Sequence, residues 1–379
     1  MSPEAATQAW LARLPAGERA AAAAHTDWRL AGFCLAGVLA IAVSLAVLRS
    51  DLLGRLRRAI EREGPRPLLA SAALAAAFGL ALFTALALLD GVCGWRGDHI
   101  LGRAGALGGH LARALSGVPA GVAALIVIAP AAQWLMRRRP RTWPLIAGPV
   151  AMLGLLAVGW LPYALASDRG LPPLAPGPLR TALAGLVADA HIPARQIHVT
   201  TDPAMDVDVT GAFGHANVVV GPRMIHAPPA EAAAFAGHLM GHYVHGDIFS
   251  IWLLLGALVF AGFIAANLAF RPLASVLGCG RLKGPGDPEA LPILALIAIV
   301  CLGAGGLALD GFIREINVGA DAFSLAHARA PDGLAAVLER QWNHESVDPS
   351  PLEAALFYPH PPLEARLLHA MRWKAAHGG

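Results

Sequence analysis

The sequence predicts a mainly α-helical, polytopic membrane protein that also contains a small α+β polar layer. Hydrophobic residues make up 56% of the 379 residues and charged residues only 15%, whereas average soluble chains carry roughly 25% charged residues. Several apolar stretches reach the length of about 20 residues that a helix needs to cross a bilayer. Two polar regions with helix and strand patterns interrupt these stretches, and they predict the additional layer.

Six stretches are long and apolar enough to span a membrane. They are Trp28–Leu48, Pro67–Leu89, Val118–Met136, Trp143–Leu165, Ile251–Phe270 and Leu291–Leu309. Indole side chains favour the membrane–water interface, and Trp28, Trp134, Trp143 and Trp160 all lie near the ends of these stretches. We therefore expect about six transmembrane helices.

The polar regions follow the fourth and the sixth span. The first contains a helical pattern, two β-rich runs (Gln196–Thr200 and Asn217–Val220) and a further helix from Pro228. The second has a helical pattern from Phe312 to Arg340, a proline-rich loop and a last helix from Pro362 to Ala376. The predicted organisation is an N-terminal segment 1–27, a four-helix membrane region 28–165, a first polar part 166–250, a transmembrane hairpin 251–309 and a second polar part 310–379.

The positive charge is concentrated in short segments. Residues 49–66, 137–142 and 271–290 are basic, and in a six-span topology all three lie on one face of the membrane. The positive-inside rule then predicts that both polar regions face away from the cytoplasm, and we expect a bacterial inner-membrane protein. No aromatic interleaving accompanies these runs, so a nucleic-acid partner is not expected. The partner that the composition implies is the lipid bilayer.

The strongest chemical motif is His238-Leu239-Met240-Gly241-His242. On a helix its two imidazoles lie four residues apart on one face, where both can bind one metal ion. An isolated pair with this spacing is more often a pair of surface histidines. Here the helix follows a β-rich segment, contains Gly237 and Gly241 for close packing, and continues into a membrane span, so a site is favoured.

Four segments in chain order carry a resemblance to a known family. They are Leu171–Leu174 with Pro178-Leu179-Arg180, Glu231–Asp247, Arg314–Phe323, and His360-Pro361-Pro362 with Arg366. In these segments the chain resembles the CAAX prenyl protease type 1 family and HtpX-like membrane metallopeptidases, over about residues 137–369. The resemblance implies a small zincin-type layer split by a pair of membrane helices, and a zinc endopeptidase activity of the gluzincin kind.

Two positions depart from the family pattern. The family motif is H-E-x-x-H, in which the glutamate is the general base, and Leu239 stands at that position. The family's third zinc ligand is a glutamate that precedes an aspartate by four residues. In this sequence the aspartate is Asp321, and Asn317 stands at the position of the glutamate. An amide oxygen is a poorer zinc ligand than a carboxylate. The resemblance thus implies His238, His242 and Asn317 as a weak or vestigial metal site without an intact catalytic residue.

Supporting and substitute residues are expected around this site. The resemblance implies that Asp321 orients a ligand histidine, with Arg366 and His360 nearby. The alternative for Asp321 is helix packing and a salt bridge, and the alternative for His360 is the start of a helix. His245 is a substitute ligand if it does not simply face solvent. Glu315 points away from the site, since it is about 200° around the helix from Asn317. Glu231 lies two turns before His238 and would approach the site only if the helix were distorted.

A second polar group, Asp202, Asp206 and Asp208 with His198, is expected to be a solvated loop and not a metal site.

The sequence therefore favours a pseudoprotease that binds peptide or lipidated-protein segments, or regulates a partner, without cleaving. An active metalloendopeptidase with an unorthodox site is one alternative, and a non-proteolytic lipid- or peptide-handling protein is another. Zinc is expected to be bound weakly or not at all.

Overall fold

Long helices make up most of the chain in a computed structural model, which describes residues 1–103, 105–168 and 170–378. In chain order the elements are α1 (Pro3–Leu11), α2 (Ala16–Arg49), α3 (Leu52–Ile60), α4 (Pro67–Ile100), α5 (Leu107–Ser116), α6 (Val118–Arg138), α7 (Trp143–Leu155), α8 (Leu161–Ala164), α9 (Pro178–Asp189), β1 (Ile197–Val199), β2 (Val207–Thr210), β3 (Asn217–Val220), α10 (Pro222–Ile225), α11 (Pro229–His245), α12 (Asp247–Val276), α13 (Leu291–Ala328), α14 (Pro331–Arg340), α15 (Pro351–Phe357) and α16 (Leu363–Ala376). A π-helical turn joins α7 to α8.

The predicted fold class is confirmed. Within the described residues, six helical stretches are long and apolar enough to cross a membrane, and each overlaps one predicted span. Large apolar side chains on them remain exposed, for example Val127 at 72% and Leu302 at 75%. Because a helix satisfies its own backbone hydrogen bonds, such a surface suits a lipid environment. Several helices run beyond the predicted spans, since helix-favouring sequence continues past the apolar core.

The chain forms two compact units. The helical unit comprises Ala24–Met152 and Gly256–Gly306, and the sheet-containing unit comprises Met1–Ala23, Leu153–Leu255 and Leu307–Gly379. In the helical unit, α4 packs along α6 in a core that includes Leu74, Phe78 and Ala129.

The sheet-containing unit is built around β3. β1 pairs with β3 in parallel and β2 pairs with it antiparallel, so the order is β1-β3-β2. Val218 and Val220 are fully buried, and Leu183 of α9 and Met240 of α11 belong to the same core. This core fixes one face of α11, the helix that contains the histidine pair.

The structure corrects part of the prediction of a solvated loop before β3: Asp202 begins an exposed turn, as predicted, but Asp208 and His198 do not lie in a loop. Val207–Thr210 forms strand β2, and Asp208 lies opposite Val219 in the antiparallel pair. Burial raises the pKa of Asp208, and His198 is buried in β1 with its Nδ1 atom 3.0 Å from Asp168. The prediction failed for Asp208 because aspartates usually mark turns, whereas this one lies within a short, partly buried strand.

The predicted continuous helix from Phe312 to Arg340 is also wrong. α13 ends at Ala328 and α14 begins at Pro331. Arg329 between them has a φ of 51°. Ala330 directly precedes Pro331, and the residue before a proline is disfavoured in helical conformation. A further short helix, α15, occupies part of the predicted proline-rich loop, and Ser350 with Glu353 forms a capping box at its start.

Candidate metal site

Helices α11 and α13 approach closely through two glycines of α11. A Cβ atom added to Gly237 would lie 3.1 Å from the Cα atom of Ser324, and one added to Gly241 would lie 3.0 Å from that of Ala320. The Ser324 hydroxyl donates a 2.6 Å hydrogen bond to the carbonyl of Ala234. The helix of the histidine pair therefore packs directly on the helix that contains Asn317.

Each histidine of the pair is oriented by a carboxylate. His238 is 5% exposed, and its Nδ1 atom donates to Asp321 Oδ1 at 2.8 Å. The Nδ1 atom of His242 donates to Asp247 Oδ2, also at 2.8 Å. Asp247 reaches His242 because α11 ends at Gly246, which has a φ of 69°. Histidine–carboxylate pairs of this kind fix the tautomer and the ring orientation in metal sites.

The two rings face each other through their remaining nitrogens. The Nε2 atoms of His238 and His242 are 3.1 Å apart. Burial lowers the pKa of His238, against the opposing effect of Asp321, so this ring is neutral at neutral pH. With the proton on Nδ1, its Nε2 atom presents a lone pair toward its neighbour, which is the arrangement that a shared cation stabilises.

Asn317 supplies an unpaired acceptor within the same helix pair. The residue is 2% exposed, and its Nδ2 group donates to the carbonyl of Ile313 at 2.8 Å. Its Oδ1 atom is buried and has no hydrogen-bond partner among the described residues. An orphaned buried acceptor costs roughly 1–3 kcal/mol, so the amide oxygen is available to a cation.

Asp321 connects the histidine pair to the C-terminal segment. Arg366 of α16 binds it with two hydrogen bonds of 2.7 Å, one to each carboxylate oxygen. Arg314 of α13 anchors the C-terminal end of α15, because its guanidinium donates to the carbonyls of Ala354 and Tyr358 at 2.9 Å. These hydrogen bonds of Arg314 could not be predicted from the local sequence, since the partner carbonyls lie about 40 residues away.

A cavity of about 260 Å³ adjoins the histidines. Leu239, His360 and Arg366 line it together with His238 and His242, and apolar residues of α14 close another side. Desolvation and the charge of Arg366 lower the pKa of His360 to about 4, although the residue retains solvent access. Gln341 also lines the cavity and was not singled out from the sequence.

Carboxylates are absent from the described residues that line this cavity. Glu231 forms an ion pair with Arg340, and Glu315 is exposed on α13. His245 is exposed as well, and its ring packs on Phe323 with a centroid separation of 5.8 Å. The structure thus brings together His238, His242, Asp321 and Arg366. Glu231, Glu315 and His245 lie outside the cavity lining.

The residues present fit a weakly held metal ion. Two nitrogens 3.1 Å apart lie within the spacing that Zn–N bonds of about 2.0–2.1 Å allow. In the described part of the chain, no group of three or more His, Cys, Asp or Glu side chains is arranged to hold a metal. The donors that line the cavity are therefore the two imidazoles, and the Asn317 amide oxygen is an unpaired acceptor on the facing helix; none of the three offsets the charge of a divalent ion.

A polytopic helical fold with a paired-histidine helix beside a small sheet defines the class of integral-membrane metallopeptidase-type proteins. Residues 173–374 match the model of Peptidase family M48. The chain belongs to peptidase family M48 and is an integral membrane protein, which confirms the resemblance to CAAX proteases and HtpX.

Curated and solved relatives agree with this assignment. The chain is 28% identical over 185 residues to Protease HtpX of Stenotrophomonas maltophilia strains K279a and R551-3. These matches cover 45% of this chain and 64% of each relative, so the chain spans less than two thirds of their length. The crystal structure of S. mikatae Ste24p superposes with a TM-score of 0.51 at 15% identity, over 89% of this chain and 99% of that one. This likeness concerns the fold.

Proposed function

We propose that this M48 protein is a pseudoprotease that binds peptide or lipidated-protein segments, or regulates a partner protein, without cleaving. One observation carries the proposal: the half-buried Leu239 lines the cavity beside both histidines, and no described lining residue is a carboxylate. A peptidase of this type needs a general base within hydrogen-bond reach of the proton it removes. An apolar side chain at that place accepts no proton.

The carboxylate-oriented histidines favour an active peptidase with an unorthodox site as the second candidate. The pairs of His238 with Asp321 and of His242 with Asp247 have the geometry that metal sites use. We rank this candidate lower, since loss of a positioned general base typically costs about 10² to 10⁴ in rate.

Turnover by the purified full chain separates the two candidates. We expect no cleavage of a peptide panel, or of prenylated peptides, above the level of His238→Ala in the presence of zinc. The matched control is His245→Ala, which removes an exposed imidazole from the same helix. Wild-type turnover that chelators abolish, that His238→Ala removes and that His245→Ala retains would overturn the pseudoprotease.

The binding half of the proposal has its own readout. Gln341 is exposed at the cavity, so Gln341→Trp should obstruct the cavity while leaving the core intact, and Gln341→Ala should leave it open. Fluorescence anisotropy of labelled peptides, with and without a prenyl group, should show binding that is weakened in Gln341→Trp and retained in Gln341→Ala. Equal binding by both variants would contradict binding in this cavity.

The metal is expected to be held loosely. Two neutral imidazoles and an amide do not offset the 2+ charge, whereas a carboxylate ligand would offset part of it. Elemental analysis should find zinc in the wild type only before dialysis against a chelator, bound through His238 and His242. Stoichiometric zinc that survives dialysis would contradict this expectation.

For localisation we propose a bacterial inner membrane with the polar regions on the non-cytoplasmic side. The basic segments 49–66, 137–142 and 271–290 support this orientation by the positive-inside rule. The HtpX relatives come from Stenotrophomonas maltophilia, which supports the bacterial assignment.

A further inference from the structure

The helical unit contains a second cavity, formed by residues other than those of the histidine site. Its volume is about 820 Å³, and it lies where membrane spans begin or end. Pro67 starts α4, Arg137 lies in the last turn of α6, and Arg271 lies near the end of α12. The segment 283–288, between α12 and α13, closes another side.

The lining of this cavity is strongly basic. Five of its side chains are cationic: Arg57, Arg137, Arg141, Arg271 and Lys283. The carboxylate of Asp287 also lines it, and Arg57 already pairs with that carboxylate at 2.9 Å. In the described ranges, no carboxylate forms an ion pair with Arg141, Arg271 or Lys283. The cavity therefore has uncompensated positive charge beside low-dielectric helices, where an anion is strongly favoured.

The cavity wall is rigidly built. Arg137 donates to the carbonyl of Gly286 at 2.7 Å, and Gln133 donates to that of Asp287 at 3.0 Å. A Cβ atom on Gly286 would lie 2.9 Å from the backbone nitrogen of Arg137, so the loop approaches α6 as closely as glycine allows. The Nη2 atom of Arg137 is buried without a hydrogen-bond partner in the described structure. An unsatisfied buried guanidinium donor in the wall indicates a missing acceptor.

The surroundings of the cavity favour an amphiphile over a soluble anion. Pro67 in the lining is followed on α4 by Leu68 and Leu69, each 53% exposed. Asn267 in the lining is followed on α12 by Leu268, which is 70% exposed. The basic cavity thus adjoins apolar surface of the membrane spans, at the depth where lipid headgroups meet the helix ends.

We infer that this cavity binds the phosphate-bearing headgroup of an anionic phospholipid, with the acyl chains along the exposed leucines of α4 and α12. Arginine forks match phosphate oxygens in two parallel hydrogen bonds. Basic pockets between membrane helices are a recognised way to hold such headgroups. The inference is independent of whether the histidine site is active.

Lipid binding by the purified full chain tests the inference. Native mass spectrometry or a fluorescent-lipid titration should show tighter binding of phosphatidylglycerol than of phosphatidylcholine. Arg141→Gln with Arg271→Gln should weaken phosphatidylglycerol binding by roughly 25-fold, at about fivefold for each cation removed. The matched control is Arg138→Gln with Arg139→Gln, which removes the same charge from residues outside the lining and should change binding little.

Three results would overturn the inference. Equal losses in both double variants would mean that the face attracts lipid through its general charge. Displacement of phosphatidylglycerol by an equal concentration of inorganic phosphate would assign the cavity to a free anion. Equal binding of the two lipids would exclude headgroup recognition. If the first pair of substitutions prevents folding, the exposed Lys283→Gln replaces it, with an expected fivefold loss.

Discussion

Asp321→Ala is expected to lower the free energy of unfolding by about 3–5 kcal/mol, because it leaves the largely buried guanidinium of Arg366 without its partner. The Asp321 side chain is 3% exposed, and that of Arg366 is 14% exposed. The substitution also removes the acceptor of the His238 Nδ1–H group. Denaturant titration of the detergent-solubilised chain measures the loss.

The matched control for this prediction is Asp332→Ala. Asp332 pairs with Lys374 at 2.6 Å, but the two side chains are 55% and 33% exposed, so the expected cost is below about 1 kcal/mol. Arg366→Met added to Asp321→Ala should recover part of the loss, since it removes the unpaired charge. A loss for Asp321→Ala no larger than that for Asp332→Ala would show that the network contributes little.

Local sequence patterns were sufficient to predict the membrane spans and the two histidines on one helix face. Apolar length alone locates a span, and the spacing of four residues places His238 and His242 on one helix face. The partner of His242 was not predictable in this way. Asp247 is five residues farther on, and it reaches the ring only because the helix breaks at Gly246.

Contacts between distant parts of the chain had no sequence signal. The N-terminal helix α1 packs on α16 through Leu11 and Leu367, and Gln8 donates to Glu364 at 2.9 Å across 356 residues. Gln341 reaches the cavity because α14 packs on α11. Such positions follow from tertiary packing, which hydrophobic periodicity within one segment does not encode.

Leu239→Glu combined with Asn317→Glu is expected to raise peptide cleavage by about 10² to 10⁴ over either single variant, the usual contribution of a positioned general base. Leu239→Glu supplies a proton acceptor in the cavity wall but leaves two imidazoles and a neutral amide as metal donors. Asn317→Glu supplies a charged metal donor in place of the orphaned Oδ1 atom but leaves Leu239 apolar. Each change is ineffective without the other, so the double variant should exceed the product of the single ones.

Isosteric controls and a separate metal readout make this expectation specific to charge. Leu239→Gln with Asn317→Gln introduces side chains of the same length without a carboxylate, and it should stay at background in the same assay with peptides and prenylated peptides. Asn317→Glu should retain zinc after dialysis with or without the second change, because that carboxylate offsets part of the ion's charge. Loose zinc in Asn317→Glu would contradict the placement of Asn317 at the metal. Equal cleavage by the glutamate and glutamine doubles would contradict the role assigned to position 239, since only the carboxylate accepts a proton there.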